Sequence, residues 1–173
     1  MCAMTDHATA TVTALQPPAS TQLLRTREPR GVIDAAEATR RLRRLAGSSL
    51  TAVETSMGRL VAALATDPVH LLVLAAPVSI GTAPVQGAAL AEPNSPEAVS
   101  ALSRWIGRSV TAVRVEEVGT LVVECGAESI RVAADASYEA WEVRGMDGGL
   151  LACLPGGGIS LWTPTTGHIP NPR

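Results

Sequence analysis

The residue types best suited to chemistry cluster late in the chain, in Tyr138-Glu139-Ala140-Trp141-Glu142-Val143-Arg144 and again at Trp162. Indole, phenol and guanidinium groups dominate the hot spots of protein interfaces, and Glu139 and Glu142 add polar anchors beside them. Tyr138, Glu139, Trp141, Glu142, Arg144 and Trp162 therefore form a candidate partner-binding surface, with the two indoles expected on neighbouring strands. A structural reading competes with it. In a chain without Phe, Trp105, Trp141 and Trp162 are natural core fillers, because an indole buries much area and needs only one hydrogen-bond partner. Paired-carboxylate catalysis fails on geometry: Glu139 and Glu142 stand three positions apart, which in a strand sends them to opposite faces, and Glu116 and Glu117 diverge likewise.

A second cluster is cationic. Arg40, Arg41, Arg43 and Arg44 cover the polar side of an expected helix and make a candidate anion-binding site, with Arg25, Arg27 and Arg30 ahead of them. A continuous stripe from Arg25 to Arg44 would suit nucleic-acid phosphates. Against that stand the absence of interleaved aromatics and the charge distribution. Residues 1–44 carry seven Arg against four acids, whereas residues 45–173 carry seven Arg against twelve, so a basic portion precedes an acidic body. Nucleic acid is not the expected partner.

The remaining motifs carry less. Pro155-Gly156-Gly157-Gly158 lacks the Gly-Lys-Ser/Thr ending of a phosphate loop and reads as a turn. Cys2, Cys125 and Cys153 have neither metal nor redox spacing and fit a reducing cytoplasm. His7, His70 and His168 are dispersed, so neither a zinc site nor a nucleophile-and-base arrangement assembles. The first twenty-four residues hold no Lys or Arg, which does not suit a secretory signal, and Asp67, Pro68 and His70 interrupt the longest apolar stretch. The expectation is a protein that is not an enzyme, uses no cofactor and spans no membrane.

The elements that must position these residues are announced by an internal repeat. Gly47-Ser48-Ser49-Leu50-Thr51-Ala52-Val53 recurs sixty positions later as Gly107-Arg108-Ser109-Val110-Thr111-Ala112-Val113, with five of seven residues identical. Each copy follows an amphipathic stretch with a cap: Asp34 with Glu37 as a capping box, then Ser95 with Pro96 at the first helical position. After each glycine the apolar period shortens to two, predicting strands at 49–55, 59–65 and 70–75, then at 109–116, 120–125, 129–134, 138–144, 150–154 and 159–163. Pro77, Gly81 and Pro84 replace the long hairpin in the first copy, which therefore reads as eroded. The fold class is α+β: two tandem copies of a helix followed by an antiparallel β-meander, packed as one pseudo-symmetric domain. Residues 1–30 read as a disordered tail rich in Thr, Ala, Pro and Ser, 31–92 as the first copy, 93–165 as the second copy with its extra hairpin, and 166–173 as a further tail.

Tyr138-Glu139-Ala140-Trp141-Glu142-Val143, the turn Gly145-Met146-Asp147-Gly148, and Pro155-Gly156-Gly157 followed by Trp162 resemble the carboxy-terminal signature of an uncharacterised family of small β-rich actinobacterial proteins. The resemblance covers roughly residues 105–162. It implies a β-rich fold, and it implies no reaction, cofactor or catalytic residue. The functional expectation is a non-catalytic cytoplasmic interaction protein, immunity- or antitoxin-like in its most concrete version, which binds a protein partner through the second copy. The alternatives are a small-molecule binder or enzyme with a cavity between sheet and helices, and nucleic-acid binding through Arg25 to Arg44. Assembly into a homo-oligomer stays open.

Overall fold

Both helices begin where a side-chain oxygen takes up an orphan amide. In the computed structural model, which describes residues 27–82 and 90–164, Asp34 accepts from the Glu37 amide at 2.7 Å to start α1 (Ala35–Leu42). Ser95 accepts from the Ala98 amide at 3.2 Å to start α2 (Pro96–Ser103). The second half of the expected capping box does not form, because the Glu37 carboxylate turns to Arg40 and Arg41 on its own helix. The chain leaves the two helical regions through Gly47 and Gly107, whose φ angles of +87° and +80° are open to glycine at little cost.

The strands are β1 (Arg27–Ile33), β2 (Ser49–Ser56), β3 (Arg59–Ala65), β4 (His70–Leu74), β5 (Val78–Thr82) and β6 (Leu90–Ala91), then β7 (Ala112–Val115), β8 (Leu121–Cys125), β9 (Glu128–Val132), β10 (Trp141–Gly145), β11 (Leu150–Cys153) and β12 (Ile159–Pro164). They form a seven-stranded sheet in the order β1-β12-β11-β10-β4-β3-β2 and a five-stranded sheet in the order β6-β5-β9-β8-β7, with antiparallel pairing throughout. The structure is therefore strand-rich with two short helices.

Neither meander completes its sheet alone. The run β2-β3-β4 continues into β10 from the later half, and the run β7-β8-β9 continues into β5 from the earlier half. The helices cross in the same sense, α1 packing on β7 and α2 on β2. Thr39 of α1 fixes the first contact: its hydroxyl accepts from the Val115 amide at 2.8 Å and donates to the Val115 carbonyl at 3.1 Å. The two glycine-led segments meet directly. Gly47 N donates to Val110 O and Gly107 N to Leu50 O, each at 2.8 Å; Leu50 N donates to Arg108 O at 3.1 Å and Val110 N to Ser48 O at 2.8 Å. One aliphatic core results, holding Ala38 and Leu42 of α1, Ala98 and Leu102 of α2, and the inward rows of both sheets.

Two expectations change. The strand β1 begins at Arg27, inside the segment read as a tail, because its backbone pairs with β12 although its sequence lacks alternation; residues 1–26 lie outside the described residues, as do 165–173. The first unit is not cut short after β4: residues 78–82, read as broken by Pro77 and Gly81, form β5 and pair with β9. With that pairing, each sheet draws strands from both sides of 92/93.

Candidate functional site

The surface expected around two indoles is divided by the sheet itself. Successive residues of a strand face opposite ways, and Trp141 takes the inward side of β10, fully buried, with its Nε1 donating to the Gly119 carbonyl at 2.8 Å. Trp105 is buried too and donates its Nε1 to Glu128. These two follow the core-filling reading. Trp162 is half-buried and alternates with the buried Leu161, on the face of the sheet turned away from the core. Tyr138, 40 % exposed, and Glu139 lie in the loop ahead of β10, where desolvation, and then the charges of Asp135 and Glu92, raise the pKa of the phenol. Of the six residues expected together, the structure brings together Glu142, Arg144 and Trp162.

These three belong to two rows on the outer face of the seven-stranded sheet. One row reads Glu54, Val61, Val73, Glu142, Ala152, Ser160 and Val32 across neighbouring strands; the next reads Ala63, Leu71, Arg144, Leu150 and Trp162. At about 4.8 Å between strands the first row spans roughly 29 Å. At its centre Glu142 is buried and clamped from two sides. Arg59 donates to its Oε1 at 2.9 Å, and Arg144 Nε donates to its Oε2 at 2.6 Å. Arg59 is the member of this site that the sequence did not announce, because it stands 83 residues from Glu142.

Arg40 and Arg41 of α1, with Arg44 in the short 3-10 turn that follows it (Arg43–Leu45), border a cleft of about 380 Å³ between this helical region and the seven-stranded sheet. Its floor is apolar, formed by Leu42, Val143, Leu151 and Leu161, and Asp147 stands on the rim. Gly149, Leu150, Trp162 and Thr163 complete the lining. Arg43 does not border it. Arg25 lies outside the described residues, and Arg27 and Arg30 belong to β1.

Near the cleft, buried His70 places its Nδ1 2.7 Å from Thr66 Oγ1, a hydroxyl that also lies 2.6 Å from the Pro68 carbonyl. Desolvation and then the Arg44 guanidinium push its pKa below the ordinary histidine value. Burial also raises the thiols of Cys125 and Cys153, the latter to about 11, which keeps both protonated at neutral pH. Among the described residues no group of three or more His, Cys, Asp or Glu is placed to hold a metal ion, and no helix is long and apolar enough to cross a membrane.

No curated protein and no solved structure matches this chain. A family match starts at the last residue of α1 and runs to Thr163, so it takes in the strands β2–β6 and the helix α2 that the carboxy-terminal resemblance left out. Residues 42–163 match DUF6188, and the chain belongs to this family of unknown function.

Proposed function

We propose that this chain is a non-catalytic interaction protein that docks a partner protein on the outer face of its seven-stranded sheet. The observation that carries this reading is the open aliphatic rows around the Glu142 clamp, with Val61, Leu71, Leu150 and Trp162 only partly covered by their neighbours. An apolar patch surrounding a paired, desolvated charge supplies both area and orientation, and Trp and Arg are the side chains that most often anchor such contacts.

The scaffold is read as a duplication. The reciprocal bonds between Gly47–Leu50 and Gly107–Val110 support it, since each bond maps onto another when the two segments are exchanged. The exchange of β5 and β10 between sheets supports a fused, strand-swapped pair. In the immunity- or antitoxin-like version the acidic body steers a basic partner toward this face, and the free, buried Cys125 and Cys153 suit a reducing cytoplasm.

The test is site-specific photocrosslinking in the native host, with a benzophenone side chain at Leu150 on the open face or at Ser79 on the outer face of the five-stranded sheet. A discrete adduct from position 150 that Leu71→Arg abolishes, with none from position 79, is the expected result. Equal labelling from both positions, or none from 150, would sink the reading.

A further inference from the structure

The strands that follow Gly47 and Gly107 are both terminal strands of their sheets, and their outer edges end differently. On β7 the edge is sealed. The Thr39 hydroxyl of α1 accepts from the Val115 amide and donates to the Val115 carbonyl, so both backbone groups that point away from β8 are taken. The glycine-led segments match at an offset of sixty residues, which sets Val99 of α2 against Thr39 and Thr55 of β2 against Val115. Val99 has no hydroxyl with which to repeat the cap. The side chains differ in the same sense: Val113 and Val115 are buried, whereas Val53 is half-buried and Thr55 exposed.

The backbone direction of β2 follows from its pairing. Leu50 points away from β3, since its amide donates to Arg108 O at 3.1 Å and its carbonyl accepts from Gly107 N at 2.8 Å. The bulge at Thr51 then adds one residue, so Ala52, Glu54 and Ser56 turn their backbone groups to β3 while Val53 and Thr55 turn theirs outward. Among the described residues no backbone bond outside the β2–β3 ladder reaches Val53 or Thr55. Amides and carbonyls at strand spacing are met together by another extended backbone. Charge decides whose backbone it is. Glu54 stands between these two residues, exposed, and makes none of the ion pairs found among the described residues. If two copies of the chain paired Val53 with Thr55 in antiparallel fashion, their Glu54 side chains would stand directly opposite each other, which is unfavourable, whereas a cation at that place is favourable.

We propose that β2 adds an extended segment of a partner protein to the seven-stranded sheet, its backbone bonded to Val53 and Thr55 and an Arg or Lys opposite Glu54. The docking face is not required for this. That face uses side chains of β3, β4 and β10 to β12, and the edge uses the backbone of one strand.

The probe is a blocked heptapeptide of alternating threonine and valine with arginine at its centre, titrated into the isotope-labelled full chain and followed by amide resonances and hydrogen exchange. Saturable one-to-one binding is expected, with the Val53 and Thr55 amides shifted and slowed in exchange. Two variants are compared after circular dichroism has shown both folded. Thr55→Pro removes an outward N–H, leaves the bonds to β3 in place and should abolish binding. Glu54→Arg should weaken the arginine peptide about fivefold and turn the preference toward the same peptide with a central glutamate. Undiminished binding by Thr55→Pro, an unchanged preference in Glu54→Arg, or no saturable binding by the wild type would overturn the proposal. Val53 and Thr55 amides already protected in the free monomer would put a segment of the chain itself on the edge, and protection only in a concentration-dependent dimer would put a second copy there; either overturns it as well. The crosslinking test is scored by protein adducts at positions 150 and 79, so its outcome and this one are independent.

Discussion

The two sheets finish their outer faces in opposite ways. On the five-stranded sheet Val122 is buried between two cross-strand neighbours, Arg114 and Arg131. Those arginines run into a ladder of charges: Arg114 pairs with Glu124 and Glu116, and Arg131 pairs with Glu116. An aliphatic side chain is covered there by the stems of charged ones, which leave their heads in water. On the seven-stranded sheet the order is inverted. A carboxylate, Glu142, is buried between Val73 and Ala152, and the surrounding rows end in aliphatic side chains and an indole. The first face is complete as a solvent boundary, whereas the second leaves partly exposed aliphatic side chains around a compensated charge.

The largest test of this contrast compares the two indoles on either side of one sheet. Trp141→Ala should cost about 3–5 kcal/mol, since it empties core volume and strips the Gly119 carbonyl of its donor. Trp162→Ala, on the open face, should cost no more than about 1–1.5 kcal/mol in the same urea denaturation. Comparable losses would mean that the outer face is already covered.

A second comparison removes the cations. Changing Arg59 and Arg144 together to Ala leaves Glu142 unpaired among aliphatic neighbours and should destabilise by about 2 kcal/mol, below the range for fully buried pairs because both arginines are partly exposed. Arg114→Ala on the five-stranded sheet should cost about 0.5 kcal/mol and lose even that in high salt. Equal effects would erase the distinction between a buried clamp and a surface ladder.

The smallest effect is a pH dependence of that ladder. The hydrogen bond and charge of Arg131 hold Glu116 below its ordinary value of 4.5. A lowered carboxylate stabilises the folded state above its unfolded pKa, and that contribution is lost as pH falls through the lower folded value. Melting temperatures of wild type and Arg131→Ala should therefore differ at neutral pH and converge in acid. A gap that widens in acid would contradict the assigned pairing.

Much of the local structure was legible because it is written in neighbouring residues. The caps at Asp34 and Ser95, the full span of β3 and the turn at 145–149 all follow from contacts a few positions apart. Alternation sends Trp141 and Glu142 to opposite faces of a strand, although the candidate surface joined them, and it could not say which side of β10 faced the core. That depends on β4, β11 and the inward row of aliphatic side chains, none of them adjacent in sequence. For the same reason Arg59 stayed hidden, and β1 and β5 were missed because pairing with β12 and β9 outweighs their weak intrinsic signals. The cleft was legible only as an arginine-rich stretch, since its other walls come from β10, β11 and β12.

The exchange of strands between the sheets has a consequence for synthesis. When β4 leaves the ribosome its hydrogen-bonding edge has no partner until β10 follows, since Leu74 pairs with Trp141 and Leu71 with Arg144. At about 5–20 residues per second the wait is roughly 3.5 to 14 seconds. Through that interval an aliphatic strand edge stands open to other nascent chains. Closure comes late, by contacts far apart in sequence, so folding should be slow for a chain of this size.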